Sequence, residues 1–292
     1  MRKIPWSKII IYGLLLFLAL SVLIPLLNLL AMSLSEPKRV GELSGLGILP
    51  KGFSLINYEI LLSHPLILRS LGNSLFITIV GTLLNLVLTT MTAYVLAKTD
   101  FVGKKVVIFF LIVIMVVDPS MITEYLLVKN LGLLDTYASL ILYRAISVYY
   151  LFILMRFFNE VPDSIIEAAR IDGAGHFKIF TKIMLPLSKP AIATFTLFYG
   201  VYHWNEYFRA TIYLTDPNKW PLQVVLRQFV INQDNTTLLS GLSTESYDVV
   251  ASLDLPSLQA GTIIISIIPL LFLYPLILKH FTKGALEGGV KD

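Results

Sequence analysis

Charged side chains interrupt several of the most apolar stretches of this 292-residue sequence. Asp118 and Glu124 lie in one such stretch, Arg144 lies in the next, and Glu206 and Arg209 lie in a third. An ionised group at the centre of a bilayer costs at least about 2.5–3.5 kcal/mol on insertion scales, so each of these residues must face a cavity, a partner helix or the interface. We expect them either to contact a polar solute or to form buried ion pairs between helices or subunits.

Residues 190–214 are rich in aromatic rings and hold a second set of residues suited to binding. Tyr199, Tyr202, His203 and Glu206 recur at steps of three and four, so on a helix they share one face. Aromatic rings stack on sugar faces, and Tyr and His also offer hydrogen-bonding groups. The alternative is helix packing with an aromatic belt at the membrane interface. The predicted substrate pathway consists of Asp118, Arg144, Tyr199, Tyr202, His203 and Glu206.

The composition requires a membrane environment for these residues. Apolar residues make up 56% and charged residues 14% of the chain, whereas a typical globular domain has about 25% charged residues. The chain contains no cysteine, which excludes disulfides, thiolate metal sites and a cysteine nucleophile. Its four histidines are scattered and predict no metal site. We therefore expect an integral membrane protein without catalytic residues.

Six segments are long and apolar enough to cross a bilayer of about 30 Å as helices. The sequence predicts spans at about residues 9–34, 70–97, 106–128, 137–157, 190–214 and 256–280. The first, second and last of them contain no charge until their ends. The predicted fold is an all-α integral membrane domain that covers residues 1–292, with six transmembrane helices.

The distribution of basic residues predicts the orientation of these spans. Fourteen Lys and Arg residues fall on the side of both termini and seven fall on the opposite side. Because positive charge concentrates in cytoplasmic loops, both termini are expected in the cytoplasm. Residues 35–69 and 215–254 are then extracytoplasmic loops, and the spacing of Leu222, Val225 and Phe229 predicts a surface helix in the second.

The cytoplasmic loop at about 160–189 has helical periodicity although it lies outside the predicted spans. Ser164 and Glu167 fit a capping box at its start, and Asp172-Gly173 predicts a bend within it. Apolar residues recur there at steps of three and four, which predicts an amphipathic element. The alternative to a functional role for this element is a solvated helix on the membrane surface.

This loop resembles the EAA signature of ABC-importer permeases at every position of the motif. The matching residues are Glu167, Ala168, Ala169, Gly173, Ile183, Leu185 and Pro186. Asn73-Ser74 and Trp204-Asn205-Glu206 are similar to carbohydrate permeases of the MalG type, and Trp220-Pro221-Leu222 is similar to the LplC-like and alginate-importer branch. The chain departs from that pattern at Asp118, where an apolar residue is usual.

The resemblance implies the permease fold of a type I ABC importer for an oligo- or polysaccharide in the cytoplasmic membrane of a bacterium or archaeon. It implies that the matching residues and Asp172 form a coupling helix that docks on an ATPase. It also implies a second permease subunit, two ATPase subunits that bind ATP and Mg, and an extracytoplasmic solute-binding protein. No nucleic acid is expected as a partner, and no cofactor in this chain.

The sequence supports the division of labour that the resemblance implies. It contains no G-x-x-x-x-G-K-[ST] loop to cradle phosphates, so we expect ATP hydrolysis by partner subunits. The main alternative is a self-contained, ion-coupled secondary transporter, for which Asp118 and Glu124 are the candidate ion site. Such transporters usually contain inverted repeats, and none is visible in this sequence. A membrane scaffold without transport is a third reading, against which the charged and aromatic residues of the spans argue.

Overall fold

The structure is a computed structural model that describes residues 6–43, 45–117, 119–232 and 254–288. The described residues form an all-helical fold. Its helices in chain order are α1 (Trp6–Ser33), α2 (Ile56–Ser63), α3 (Pro65–Lys98), α4 (Lys104–Val116), α5 (Met121–Asn130), α6 (Ala138–Ile141), α7 (Val148–Glu160), α8 (Asp163–Ile171), α9 (His176–Ile179), α10 (Leu185–Leu187), α11 (Lys189–Trp204), α12 (Phe208–Tyr213), α13 (Leu222–Leu226) and α14 (Leu255–Gly288). Turns of 3-10 helix (Pro37–Glu42, Pro217–Lys219) and of π-helix (Phe180–Met184, Arg227–Ile231) occur between them.

Three helices in the described part of the chain are long and apolar enough to cross a membrane. They are α1, α3 and the first part of α14, Leu255–Phe272. They coincide with the three predicted spans that carry no internal charge. Along α1 the large apolar side chains from Ile9 to Leu23 are exposed, as expected of a helix that is surrounded by lipid.

The other three predicted spans are not continuous helices, because each divides into two pieces. The breaks fall at residues 117–120, 142–147 and 205–207. The first contains Pro119, which cannot continue the hydrogen bonding of a helix interior, and the other two contain Arg144 and Glu206. Asp118 itself lies outside the described residues. Arg144 and Glu206 therefore lie where helices are interrupted, whereas Glu124 and Arg209 lie within α5 and α12.

The chain divides into two compact units. One unit comprises residues 1–69 and 225–269, and the other comprises residues 70–224 and 270–292. Within the first, the buried side chain of Asn57 joins three elements: its Nδ2 donates to the Ser33 carbonyl at 3.0 Å, and its Oδ1 accepts from the Ser257 hydroxyl at 3.3 Å. The second unit contains the broken helices and the predicted coupling loop.

The predicted surface helix of the second extracytoplasmic loop does form, but it is packed rather than superficial. α13 and the π-helical turn after it cover Leu222–Ile231. The side chains of Leu222, Val225 and Phe229 are all buried. Their spacing correctly indicated one apolar helical face, and that face contacts protein. Asp234, Glu245 and Asp248 of the same predicted loop lie outside the described residues.

In the second unit, α3 and α11 pack tightly at a position where α3 has no side chain. A Cβ added to Gly81 would lie 2.5 Å from Nε2 of His203. The same imidazole nitrogen lies 3.4 Å from Oδ1 of Asn85, one turn further along α3. Gly81 therefore provides the space in which the His203 ring packs.

We expect Gly81→Ala to destabilise the protein by about 1–3 kcal/mol, because the added methyl group overpacks this contact. The measurement is the midpoint of thermal unfolding in detergent. Gly72→Ala on the same helix is the control, since a Cβ there meets open space. That change should be neutral or stabilise by about 0.5–1 kcal/mol through helix propensity. Equal midpoints for the two variants would contradict the close packing described here.

Candidate coupling segment and membrane cavity

The predicted coupling loop folds as two helical pieces joined by a bend. Gly173 follows α8 with a φ of +77°. Its N–H donates to the carbonyl of Arg170 at 3.0 Å, and the N–H of Ala174 donates to the carbonyl of Ala169 at 2.9 Å. This is a Schellman motif, in which the residue of left-handed conformation is usually Gly. The predicted bend is confirmed, and backbone conformation is its cause, because a Cβ at this position would meet open space.

The predicted capping box at the start of the segment is wrong. α8 begins at Asp163, and Pro162 occupies the N-cap position without a side-chain hydrogen bond to the helix. Ser164 therefore lies inside the first turn, where its hydroxyl is past the capping position. The proline ring restricts the backbone just ahead of the helix, so the helix start does not depend on a Ser–Glu pair.

A lysine at the end of α3 fixes the start of α8. Lys98 Nζ lies 2.7 Å from Oδ1 of Asp163 and 2.8 Å from the carbonyl oxygen of Val161. The side chain of Lys98 is only 6% exposed, and its ammonium group holds the pKa of Asp163 below the usual value. One turn earlier on α3, the Tyr94 hydroxyl lies 3.1 Å from Nδ1 of His176 in the second helical piece. Polar contacts to α3 thus attach both pieces of the loop.

One face of the loop is buried in the core of the second unit. Ile166, Ile179 and Met184 are almost wholly inaccessible to solvent. They belong to a cluster that also contains Tyr94 and Leu96 of α3, Leu151, Leu154 and Phe158 of α7, and Phe195 and Tyr199 of α11. Because such interiors are close-packed, a displacement of this loop must displace the helices it packs against.

The opposite face of the loop is exposed and partly apolar. Ile171 is 87% exposed and Phe177 is 75% exposed. The residues of the predicted docking set divide between the two faces: Glu167, Ala168, Asp172, Gly173 and Pro186 are exposed, whereas Ala169, Ile183 and Leu185 are partly buried. This surface (the exposed residues between Glu167 and Pro186) is therefore available for contact with another protein.

The second unit also contains a cavity of about 470 Å³ beside two of the helix breaks. Pro119 of the first break and Arg144, Ile146 and Ser147 of the second are among its lining residues. The remaining lining is mostly apolar, with Glu124, Ser139, Tyr143 and Tyr149 as polar exceptions. In the predicted spans, irregular backbone would need protein or a water-filled cavity around it, and this cavity lies beside two of the breaks.

Arg144 lines this cavity and has an unusual backbone conformation. Its φ is +48°, in the left-handed region that non-glycine residues rarely adopt. Its side chain is 51% exposed, and its guanidinium lies 3.9 Å from Oε1 of Glu124. The Tyr143 hydroxyl donates a short hydrogen bond to the same carboxylate oxygen. Glu124 is thus held by a neighbour, whereas the arginine is in looser contact with it.

Arg209, the second arginine of the predicted spans, is enclosed instead. Its Nε lies 2.9 Å from Oε2 of Glu206, its terminal nitrogen contacts the same oxygen, and its backbone N–H donates to Oε1 at 3.0 Å. The guanidinium lies 4.1 Å from the centre of the Tyr143 ring. Glu206 is only 8% exposed. Removal of either partner of such a buried pair would leave an uncompensated charge inside the protein.

Each helix break has a side chain that accepts a hydrogen bond from the freed backbone. Ser120 Oγ accepts from the N–H of Thr123 at the start of α5. The Tyr199 hydroxyl accepts from the N–H of Ser147, just before α7, at 3.1 Å. The carboxylate of Glu206 does the same at the start of α12 through its bond to the Arg209 N–H. These contacts satisfy donors that an unbroken helix would satisfy itself.

The structure distributes the predicted substrate-pathway residues over different environments. Arg144 lines the cavity, whereas Tyr199 and His203 are buried between helices, where the Tyr199 hydroxyl lies 2.8 Å from Thr89 Oγ1. Tyr202 is partly buried, and the Arg209 guanidinium lies 5.1 Å from the centre of the Tyr202 ring. The other two members are Glu206, buried in its ion pair, and Asp118, which lies outside the described residues.

The predicted pathway did not include two tyrosines that line the cavity. Tyr143 lies within the break at residues 142–147 and Tyr149 lies just after it, on either side of Arg144. Their signal in the sequence was their position within five residues of the arginine in a predicted span, which the helical-face argument did not consider. Among the described residues, no cluster of His, Asp and Glu could hold a metal ion.

Comparison with known proteins gives consistent matches over nearly the whole chain. Residues 90–286 match the family described as binding-protein-dependent transport system inner membrane component. The polygalacturonan/rhamnogalacturonan transport system permease protein YtcP of Bacillus subtilis (strain 168) is 40% identical, over 97% of this chain and 97% of YtcP. Protein LplC of the same strain is 42% identical, over 92% of this chain and 89% of LplC.

A solved structure also matches this fold closely. It is a chain from a bacterial ABC transporter involved in the import of the acidic polysaccharide alginate. The superposition has a TM-score of 0.86 at 30% sequence identity and covers 96% of this chain and 100% of that chain. The two chains therefore share their fold from end to end.

We expect Lys98→Met to loosen the start of α8, because the Val161 carbonyl and the Asp163 carboxylate lose their shared donor. Since Asp163 is largely exposed, the loss should be about 1 kcal/mol, or roughly fivefold faster amide hydrogen exchange over residues 163–172. Lys104→Met is the control, because Lys104 pairs with exposed Asp100 away from this loop. Unchanged exchange in Lys98→Met would show that apolar packing alone holds the segment.

Proposed function

This chain belongs to the family of inner membrane components of binding-protein-dependent transport systems, and we propose that it conducts a carbohydrate through such an ABC importer. The predicted resemblance to carbohydrate permeases, closest to the LplC-like and alginate-importer branch, is confirmed. As a permease of this family the chain is a non-catalytic, multi-pass membrane subunit, and ATP is handled by ATPase partners. Membership of this family favours an ATP-driven importer over the ion-coupled secondary transporter that the sequence left open.

The relatives support carbohydrate as the class of substrate. One is named for polygalacturonan and rhamnogalacturonan, and the transporter of the matching solved chain imports alginate. The match to each covers nearly the full length of both chains, so the transport core is shared rather than one exchanged loop. We infer an oligosaccharide or polysaccharide fragment as the substrate, delivered by an extracytoplasmic solute-binding protein.

The proposed assembly pairs this chain with a second permease and two ATPase subunits. We propose that all six predicted segments cross the membrane as one permease domain, three as long helices and three as broken ones. Both termini and the loop at about 160–189 then lie in the cytoplasm. The cytoplasmic placement brings the exposed surface between Glu167 and Pro186 to the side on which ATP is hydrolysed.

The observation that carries the proposal is the two-sided construction of this loop. Its exposed face offers Ile171 and Phe177 to an ATPase, while its buried face packs against α3, α7 and α11. When ATP closes the ATPase dimer, the loop moves with it, and the packed helices move with the loop. Transport is then a two-state equilibrium that ligands bias from separate sites.

The proposed substrate pathway includes the cavity at the helix breaks. Arg144 contacts the substrate there, and we place Asp118 on the same pathway from its sequence position. Tyr199, His203 and Glu206, which are buried, and Tyr202, which is partly buried, contribute by fixing the broken helices that form the wall of the pathway. This division follows from which of these side chains are exposed to the cavity and which are enclosed.

Substitution of Gly173 tests the coupling role. The left-handed conformation disfavours a side chain by about 1–2 kcal/mol, least for Asn and most for a β-branched residue. We expect uptake and ATPase binding to fall together in the order Gly173→Asn, Gly173→Ala, Gly173→Val, while the permease still inserts into the membrane. Gly175→Ala is the matched control, because a Cβ there meets open space and its φ is ordinary. Full ATPase binding and stimulation in Gly173→Val, despite lost uptake, would refute the coupling role.

Cysteine labelling tests the orientation, because the chain has no cysteine of its own. In cells that produce this chain without its ATPase, Thr215→Cys should react with a membrane-impermeant maleimide. Lys178→Cys in the coupling loop should react only after the membrane is permeabilised, because the loop is placed in the cytoplasm. Both positions are exposed. The reverse pattern of labelling would invert the proposed topology.

A further inference from the structure

We propose that Tyr143 is a positioning residue of transport, which holds one side of the helix break at residues 142–147 in place while α7 moves. The cavity beside the break then changes shape when the coupling loop is displaced. This role rests on the proposed function and adds to it the residue against which the moving helix works.

The break separates two apolar clusters of the second unit. Before the break, α6 is buried in one cluster (the α6 cluster), together with Val128 of α5 and with Ala210 and Tyr213 of α12. After the break, α7 is buried in the other (the α7 cluster), together with Ile166 and Ile179 of the coupling loop. Residues of α3 belong to both clusters and keep them joined. Since each interior is close-packed, each cluster moves as a body, and the break is the place where one tilts against the other.

Each side of the break is attached to the cluster on its own side. The Tyr143 hydroxyl donates a short hydrogen bond to Oε1 of Glu124 on α5, and the guanidinium of Arg209 on α12 lies 4.1 Å from the centre of the Tyr143 ring. On the other side, the N–H of Ser147 donates to the hydroxyl of Tyr199 at 3.1 Å, and Tyr199 belongs to the α7 cluster. Tyr143 is therefore the last residue held by α5 and α12 before the chain passes to the α7 cluster.

The backbone between these two attachments is suited to be a hinge. It is not helical, because α6 ends at Ile141 and α7 begins at Val148. Directly after Tyr143 the chain turns through the left-handed conformation of Arg144, whose φ is +48°. Hinges in proteins are a few residues at the ends of elements that absorb changes of φ and ψ. Tyr143 lies at the fixed end of such a segment.

The cavity has walls from both clusters. Val128 and Leu133 line it and belong to or pack against the α6 cluster, whereas Ile146 lines it and packs against the α7 cluster. A tilt of α7 therefore moves one wall relative to the other, provided that the first part of the break stays with α5 and α12. Without the contacts of Tyr143, the residues of the break follow α7 and the cavity changes less.

The test compares three variants of the complete importer in proteoliposomes, with its solute-binding protein present. Tyr143→Phe loses the hydrogen bond to Glu124 but keeps the ring beside Arg209, and Tyr143→Leu loses both contacts. Tyr125→Phe is the matched control, because Tyr125 lies beside Glu124 on α5 and its ring lies 6.4 Å from that of Tyr213. In the part of the chain that the structure describes, the Tyr125 hydroxyl has no hydrogen-bond partner.

The measured quantity is the number of ATP molecules hydrolysed per sugar taken up, with trigalacturonate and maltotriose as acidic and neutral probes. We expect this ratio to rise about fivefold in Tyr143→Phe and about tenfold or more in Tyr143→Leu, because the loop still moves but the cavity responds less. A purely structural role would lower uptake and ATP hydrolysis together and leave the ratio unchanged. An unchanged ratio in both variants, or an equal rise in Tyr125→Phe, would overturn the inference. If Tyr143→Leu does not assemble, Tyr143→Phe decides.

A second measurement needs no transported sugar. Tyr149→Cys introduces a cysteine at an exposed position of the cavity wall in a chain that has none. In the complete importer, we expect ATP with vanadate to change the rate at which this cysteine reacts with a maleimide. With Tyr143→Leu added, the rate should no longer respond, although the ATPase is still bound. A response that is the same with and without Tyr143, or no response in the Tyr149→Cys importer itself, would contradict the positioning role.

The two measurements separate this role from the proposed function. If the parent importer takes up neither sugar but the cysteine responds to nucleotide only when Tyr143 is present, carbohydrate import is refuted and the positioning role stands. If a sugar is taken up and neither the ratio nor the labelling depends on Tyr143, the positioning role is refuted and carbohydrate import stands.

Discussion

The constraint on which this structure depends is that a helix inside a membrane can be interrupted only where its freed backbone groups find partners. Each unsatisfied N–H or C=O in hydrocarbon costs several kcal/mol. The three breaks of this chain meet the requirement with side chains: the Ser120 hydroxyl, the Tyr199 hydroxyl and the Glu206 carboxylate accept from N–H groups at the starts of α5, α7 and α12. The first role of these polar residues is therefore to accept hydrogen bonds from the backbone where the helices are interrupted.

This constraint explains how much of the site the sequence could predict. The three uncharged segments were predicted correctly as long helices, because hydropathy and length alone determine them. Arg144 indicated that a polar environment was needed, but no Gly or Pro accompanies it to predict a break. Tyr199 and His203 lie on one helical face as predicted, yet the same periodicity describes a face turned to a cavity and one packed against α3. Which of these applies is decided by tertiary contacts.

The coupling loop shows the opposite balance between sequence and structure. The position of its bend was predictable, because a residue after an amphipathic helix that must adopt a positive φ is usually Gly. The capping box failed, because the restricted backbone of Pro162 already ends the extended chain and the helix starts one residue earlier than Ser164. The contacts of Lys98 could not be predicted, since they join residues more than sixty positions apart. A lysine at the end of a span predicted orientation only, and its near-complete burial is a property of the fold.

In the proposed mechanism, α7 is the element that joins the two functional parts. Its first residue, Val148, lines the cavity next to the break that holds Arg144, and its last residue, Glu160, is followed within three residues by α8. Thirteen helical residues span about 20 Å, and Leu151, Leu154 and Phe158 bury one side of them in the cluster that contains Ile166 and Ile179 of the loop. A short helix embedded in this way moves as one body. A displacement of the exposed loop by an ATPase therefore reaches the cavity directly through α7. Because the chain is not helical at residues 142–147, the start of α7 can shift without an equal shift of α6.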